Sequence, residues 1–118
     1  MVAYNFKAQF ADDVASGKKR QTIRAPRKDG RCAKPGDRLQ LYTGMRSKSC
    51  RKLVEPDPVC KWVNGIIIEQ PGIRYTDGSE CMTPDVVARR DGFRDWPEMR
   101  DWFQKVHGLP FHGFLIRW

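Results

Sequence analysis

The segment Gly17-Lys18-Lys19-Arg20-Gln21-Thr22-Ile23-Arg24 crowds amines, a hydroxyl and guanidinium groups into a short stretch directly after a glycine. A threonine hydroxyl attacks well only when a neighbouring base takes its proton, and a desolvated lysine with a lowered pKa is such a base. The cations beside Lys19, namely Lys18, Arg20 and Arg24, favour its neutral form. Arg24 adds a fork of donors suited to a carbonyl, a phosphate or the edge of a base. Strict strand alternation puts Thr22 on the face of Arg20 and Arg24 and turns Lys19 away. Lys19 therefore has to sit in the turn before regular pairing if its stem is to reach Thr22.

A second chemically expressive residue is Asp91, four positions after Val87 and so on the helix face that Val87 should bury. A carboxylate on an apolar face needs a cationic partner. Two readings stay open, a place in a cleft or a local pair with Arg89, Arg90 or Arg94. A further basic group, Arg46, Lys48, Arg51 and Lys52 with Tyr42 just upstream, reads either as a rim for single-stranded nucleic acid or as a solvated loop. Trp62, Trp96 and Trp102 read as core or partly buried side chains. His112, on a strand face with Phe114 and Ile116, reads as a half-buried histidine rather than a general base.

The elements that must position these groups follow from apolar periodicity. Tyr4 and Phe6 alternate in a first strand, and Phe10 and Val14 share one face of a helix over about residues 8–16 that Gly17 ends. Residues 19–25 read as a strand, Lys34-Pro35-Gly36-Asp37 as a turn, and Arg38–Thr43 as a clearly alternating strand. Further strands are expected at about 50–54, 59–69 and near Arg74-Tyr75, with Pro56 and Pro58 separating the first two. Thr83-Pro84-Asp85 opens a helix closed by Gly92, and Asp95 with Glu98 forms a capping box for a second. There Met99, Trp102, Phe103 and Val106 make an apolar stripe that reads as core, and Phe114, Ile116 and Trp118 alternate in a last strand. The pattern predicts a single α+β domain over residues 1–118, a mixed sheet or partly closed β-barrel flanked by about three helices.

Charge and composition narrow the function. Of 118 residues, 22 are Lys or Arg and 14 Asp or Glu, a net charge of +8. The excess lies in residues 1–54, which carry +10 against −2 for the remainder. Such asymmetry points to an anionic partner, nucleic acid foremost, against the plainer reading of a solvated basic face. The longest apolar run, Gly65-Ile66-Ile67-Ile68, falls far short of the ~20 residues of a membrane span. The first residues lack a secretion signal, so a cytoplasmic protein without membrane contact is expected. Cys32, Cys50, Cys60 and Cys81 show no C-x-x-C spacing, and only two histidines are present. Neither a disulfide framework, a metal site nor a cofactor is implied.

The order G-x-K-x-x-T-x-R after a short first helix, then Lys34-Pro35-Gly36-Asp37-Arg38-Leu39 opening a strand, resembles the ASCH domain family, as does the late segment Ala88-Arg89-Arg90-Asp91-Gly92-Phe93. That resemblance implies a PUA-like β-barrel with a cleft beside its first helix. It also implies binding of RNA or a nucleoside, RNA cleavage, or hydrolysis of acylated cytidine nucleosides. In the amidohydrolase branch a lysine, a threonine and a later glutamate act together, which maps to Lys19, Thr22 and Asp91. Here aspartate stands where that branch has glutamate, one methylene shorter. The resemblance and the basic segments make Lys18, Arg20, Arg24, Tyr42, Arg46, Lys48 and Arg51 the expected binding residues. A protein-interaction module whose basic face meets an acidic partner is the alternative from a different class.

Overall fold

Alternation of large apolar and polar side chains builds the first layer. In the computed structural model, which describes residues 2–79 and 82–118, strand β1 (Val2–Phe6) buries Val2, Tyr4 and Phe6. Helix α1 (Ala8–Ser16) buries Phe10, Ala11 and Val14 and ends at Gly17, whose φ of 83° lets its N–H return to the Val14 carbonyl at 3.2 Å. Strand β2 (Gln21–Arg24) begins later than residue 19, so Lys19 lies in the turn. The Lys34–Asp37 turn is closed by the Asp37 N–H on the Lys34 carbonyl at 2.9 Å and feeds β3 (Leu39–Thr43). β3 runs parallel to β1 and antiparallel to the two-residue β4 (Arg51–Lys52), giving a three-stranded sheet ordered β1-β3-β4.

The second sheet is antiparallel and ordered β2-β7-β5-β6, with β5 (Trp62–Glu69), β6 (Gly72–Tyr75) and β7 (Phe111–Arg117). In place of the expected barrel, the seven strands among the described residues form two sheets that do not close on one another. After β4 the chain passes through Pro56 and Pro58, which have no N–H to offer a ladder, and Arg38 forms an isolated bridge with Val59 outside either sheet.

Helices α2 (Pro84–Arg90) and α3 (Trp96–Val106) pack on each other. Thr83 precedes α2 as expected, but its hydroxyl makes no cap. Asp85 instead accepts from the Trp96 N–H at 2.8 Å and ties the start of α3 to α2. Asp95 caps α3 by accepting from the Glu98 N–H at 3.0 Å, while Glu98 reaches the Arg94 N–H, one residue before the position a capping box requires. The core is continuous from Leu39 and Leu41 through Ile66, Ile68 and Leu115 to Val87, Met99 and Phe103. The α3 stripe divides: Met99 and Phe103 are interior, Trp102 is half-buried and Val106 is exposed. His112 is exposed, contrary to expectation, and Trp62 and Trp96 are half-buried. Cys32, Cys50 and Cys60 are free thiols, and Cys81 lies outside the described residues. No helix is long and apolar enough to cross a membrane among the described residues.

Candidate functional site

Three elements converge on the turn before β2. Lys19 is buried, and its ammonium donates to the Asp91 carbonyl and pairs with Asp91 Oδ1 at 3.1 Å. Asp91, the residue that follows α2, is equally buried and accepts a second hydrogen bond on Oδ1 from Gln21 Nε2 at 3.2 Å. Gln21 Nε2 also donates to the Val87 carbonyl at 3.1 Å, so α2 is fastened to β2 through one amide. Gly92 has a φ of 100°, and a Cβ there would lie 3.0 Å from the Phe10 ring and 3.4 Å from Lys19 Cδ. Only glycine lets the chain turn so closely over the lysine stem. Asp91 thus takes its cation from across the fold, and the local pair with Arg89, Arg90 or Arg94 does not form.

Beside this pair, Arg24 Nε donates to Thr22 Oγ1 at 2.9 Å and Arg24 Nη2 to the Asn5 carbonyl at 2.8 Å. The guanidinium lies over Phe6 and Tyr4, 4.7 and 5.2 Å from their ring centres. Lys19, Thr22, Arg24 and Asp91 all line one hollow of about 410 Å³. That volume falls within the range of small-molecule sites. Its other wall is aromatic. Phe10, Phe93 and Trp102 pack edge-on or tilted with centroids 5.3 to 6.0 Å apart, and Val106 and His107 extend the wall. Neither Gln21 nor these apolar side chains stand out in the sequence as site residues. The signal in the sequence is the stripe on α3, of which Trp102, Phe103 and Val106 line the hollow while Trp102 and Phe103 also pack in or against the core.

The other expected binding residues lie elsewhere. Lys18 and Arg20 are exposed and line a second hollow. Tyr42 is half-buried and Arg46, Lys48 and Arg51 are exposed, and none of the four lines either hollow. Arg51 makes a long surface pair with Asp12 at 3.7 Å. The loop carrying Arg46 and Lys48 is nevertheless tied to the cleft rim, because Asn5 Oδ1 accepts from the Met45 N–H at 3.0 Å. Among the described residues, no three His, Cys, Asp or Glu side chains are placed to hold a metal.

No family model, curated protein or solved structure matches this chain. Burial pulls the Lys19 pKa down against the attraction of Asp91, and burial pushes the Asp91 pKa up against the attraction of Lys19. Desolvation disfavours both charges, and the pair persists because each answers the other.

These shifts give the pair two opposite contributions to the pH dependence of folding. Between the ordinary aspartate value of 3.8 and the raised folded value, the folded protein holds a proton that the unfolded chain has lost, so Asp91 makes stability fall as pH rises. Between the lowered folded value of Lys19 and its ordinary 10.5, the unfolded chain holds the extra proton, so stability rises with pH. Urea titrations across the pH range should show both contributions as the difference between the wild type and a Lys19→Met/Asp91→Leu variant, whose own profile reflects the remaining groups. Identical profiles would refute the assignment.

Proposed function

We propose that the protein binds a nucleobase in this cleft, presented by a free nucleoside or by an unpaired position of RNA. The observation that carries the reading is the juxtaposition of an aromatic wall with a polar end made of Arg24, Thr22 and the Lys19–Asp91 pair. A planar ring fills the space beside Phe10, Phe93 and Trp102. The guanidinium meets its carbonyl oxygen, and the Asp91 carboxylate accepts from an exocyclic amine. A cytosine-like edge offers both groups. The strongly basic first half draws such a ligand in when it carries phosphates, and the resemblance to ASCH domains agrees with this class of partner.

Titration calorimetry with cytidine and with a short single-stranded oligoribonucleotide tests the proposal. An Arg24→Met variant should bind cytidine about tenfold or more weakly, the scale of one hydrogen bond to a charged group. The oligonucleotide affinity should fall steeply with salt while the nucleoside affinity does not. Cytidine binding that survives Arg24→Met unchanged, or absence of binding by both ligands, would remove the reading.

A hydrolytic role is the second reading, favoured by one observation: Lys19, Thr22 and Asp91, the residues that map to the amidohydrolase branch, share one cleft, and Arg24 donates to the Thr22 oxygen that would attack. The Lys19 ammonium, however, is engaged by Asp91 rather than by Thr22. Turnover of acylated cytidine or cleavage of RNA, lost in Lys19→Ala and Thr22→Ala proteins that still fold, would promote this reading over binding alone.

A further inference from the structure

The turn and strand that wall the cleft have a second side. Gly17, Lys18, Arg20 and Gln21 line a separate hollow of about 360 Å³ that shares no lining residue with the first. Its floor is a cross-strand row set by register: Gln21 on β2 opposes Arg117 on β7, and Arg117 opposes Trp62 on β5. The Arg117 guanidinium lies over the Trp62 ring, 4.6 Å from its centre. Its Nε and Nη2 are buried and meet no hydrogen-bond acceptor among the described residues. Lys18, Arg20, Lys61 and Arg90 surround it, and all four are exposed. Among the described residues no Asp or Glu side chain lines this hollow, whose lining is completed by Trp118, and none of its five cationic side chains forms an ion pair.

Elsewhere in the molecule the buried Lys19 is answered by Asp91, and the half-buried Lys52 reaches Asp57 at 2.6 Å. Arg117 is half-buried, and leaving its two buried donors unfilled costs free energy unless an acceptor arrives from outside. Four further positive charges concentrate anions at that place. Arginine's fork matches two oxygens of one oxyanion, and Trp62 holds its plane fixed.

We propose that this hollow is a phosphate-binding site, distinct from the cleft, in which Arg117 grips a phosphoryl group and Lys61, Arg90, Arg20 and Lys18 neutralise it. The phosphoryl group belongs either to a free nucleotide or to the backbone of a nucleic-acid strand. The site stands whether or not the cleft takes a nucleobase.

Calorimetric titration with inorganic pyrophosphate in low-salt buffer tests it. Saturable one-to-one binding is expected, abolished by Arg117→Gln and weakened about tenfold by Lys61→Gln/Arg90→Gln. Because Arg117 packs on Trp62, its variant is checked for a native melt, and the exposed double variant keeps the test independent of folding. Cytidine binding in the cleft should be unchanged by the double variant, so a failure here is separable from a failure of the cleft. Displacement of pyrophosphate by an oligoribonucleotide would identify a strand backbone as the source, and displacement only by a nucleoside monophosphate a free nucleotide. Absence of saturable binding, or binding indifferent to both sets of substitutions, would overturn the proposal.

Discussion

An Asp91→Ala protein should be less stable than the wild type by about 3–5 kcal/mol, the cost of leaving one member of a buried ion pair without its partner. For a domain of this size that lowers the melting midpoint by roughly 10–20 °C. The loss arises on both sides of the carboxylate. The Lys19 ammonium keeps only the Asp91 backbone carbonyl, and the Gln21 amide keeps only the Val87 carbonyl. The Lys19→Met/Asp91→Leu protein removes both charges and fills similar volume, so it should recover to within about 2 kcal/mol of wild type. A double-mutant cycle read by urea unfolding checks the pair, because the two singles should exceed the double. An Asp91→Ala loss below 1 kcal/mol, by the same scale, would show that the pair is solvated.

The second large effect lies on β7. Gly113 is buried opposite Ile66, and a Cβ added there would stand 2.4 Å from the Arg24 carbonyl oxygen and 2.7 Å from the Phe111 ring. Neither obstacle is a free side-chain end, so β2 must move away from β7. A Gly113→Ala protein should lose about 3 kcal/mol through overpacking. Because the displaced backbone carries Thr22 and Arg24, cytidine affinity should fall about tenfold, as though one charged hydrogen bond were lost. Gly78 provides the control, since its added Cβ meets nothing within 4 Å and only its φ of 82° opposes the change. Gly78→Ala should cost about 1–2 kcal/mol and leave cytidine affinity intact. Equal effects at the two glycines would refute the steric argument.

Local signals made much of this architecture readable. Phe10 and Val14 with a glycine behind them specify α1 and its end, and Pro35-Gly36 specifies the turn before β3. The grouping of Lys19, Thr22 and Arg24 was legible for the same reason, because they are neighbours in sequence and a turn delivers them to one hollow. Asp91, 72 residues from Lys19, joined that group only through the resemblance to ASCH domains, because the nearer arginines offered an equally good local pairing. Gln21 carries no charge or motif that separates it from a spacer, although its amide joins two elements. Phe10, Phe93 and Trp102 look alike whether they fill a core or wall a cleft, because burial alone does not say what lies on a ring's other face. Barrel closure failed as an expectation because it depends on how far β4 extends, which distant pairing decides rather than composition.

β2 has one strand neighbour, β7, with Gln21–Arg24 laid against Phe114–Arg117. In order of synthesis the basic segment therefore precedes the strand that fixes it. Until then the nascent chain holds its cationic half without the surface that orders Thr22 and Arg24. The amine, alcohol and guanidinium are therefore brought together only after β7 has been delivered and docked.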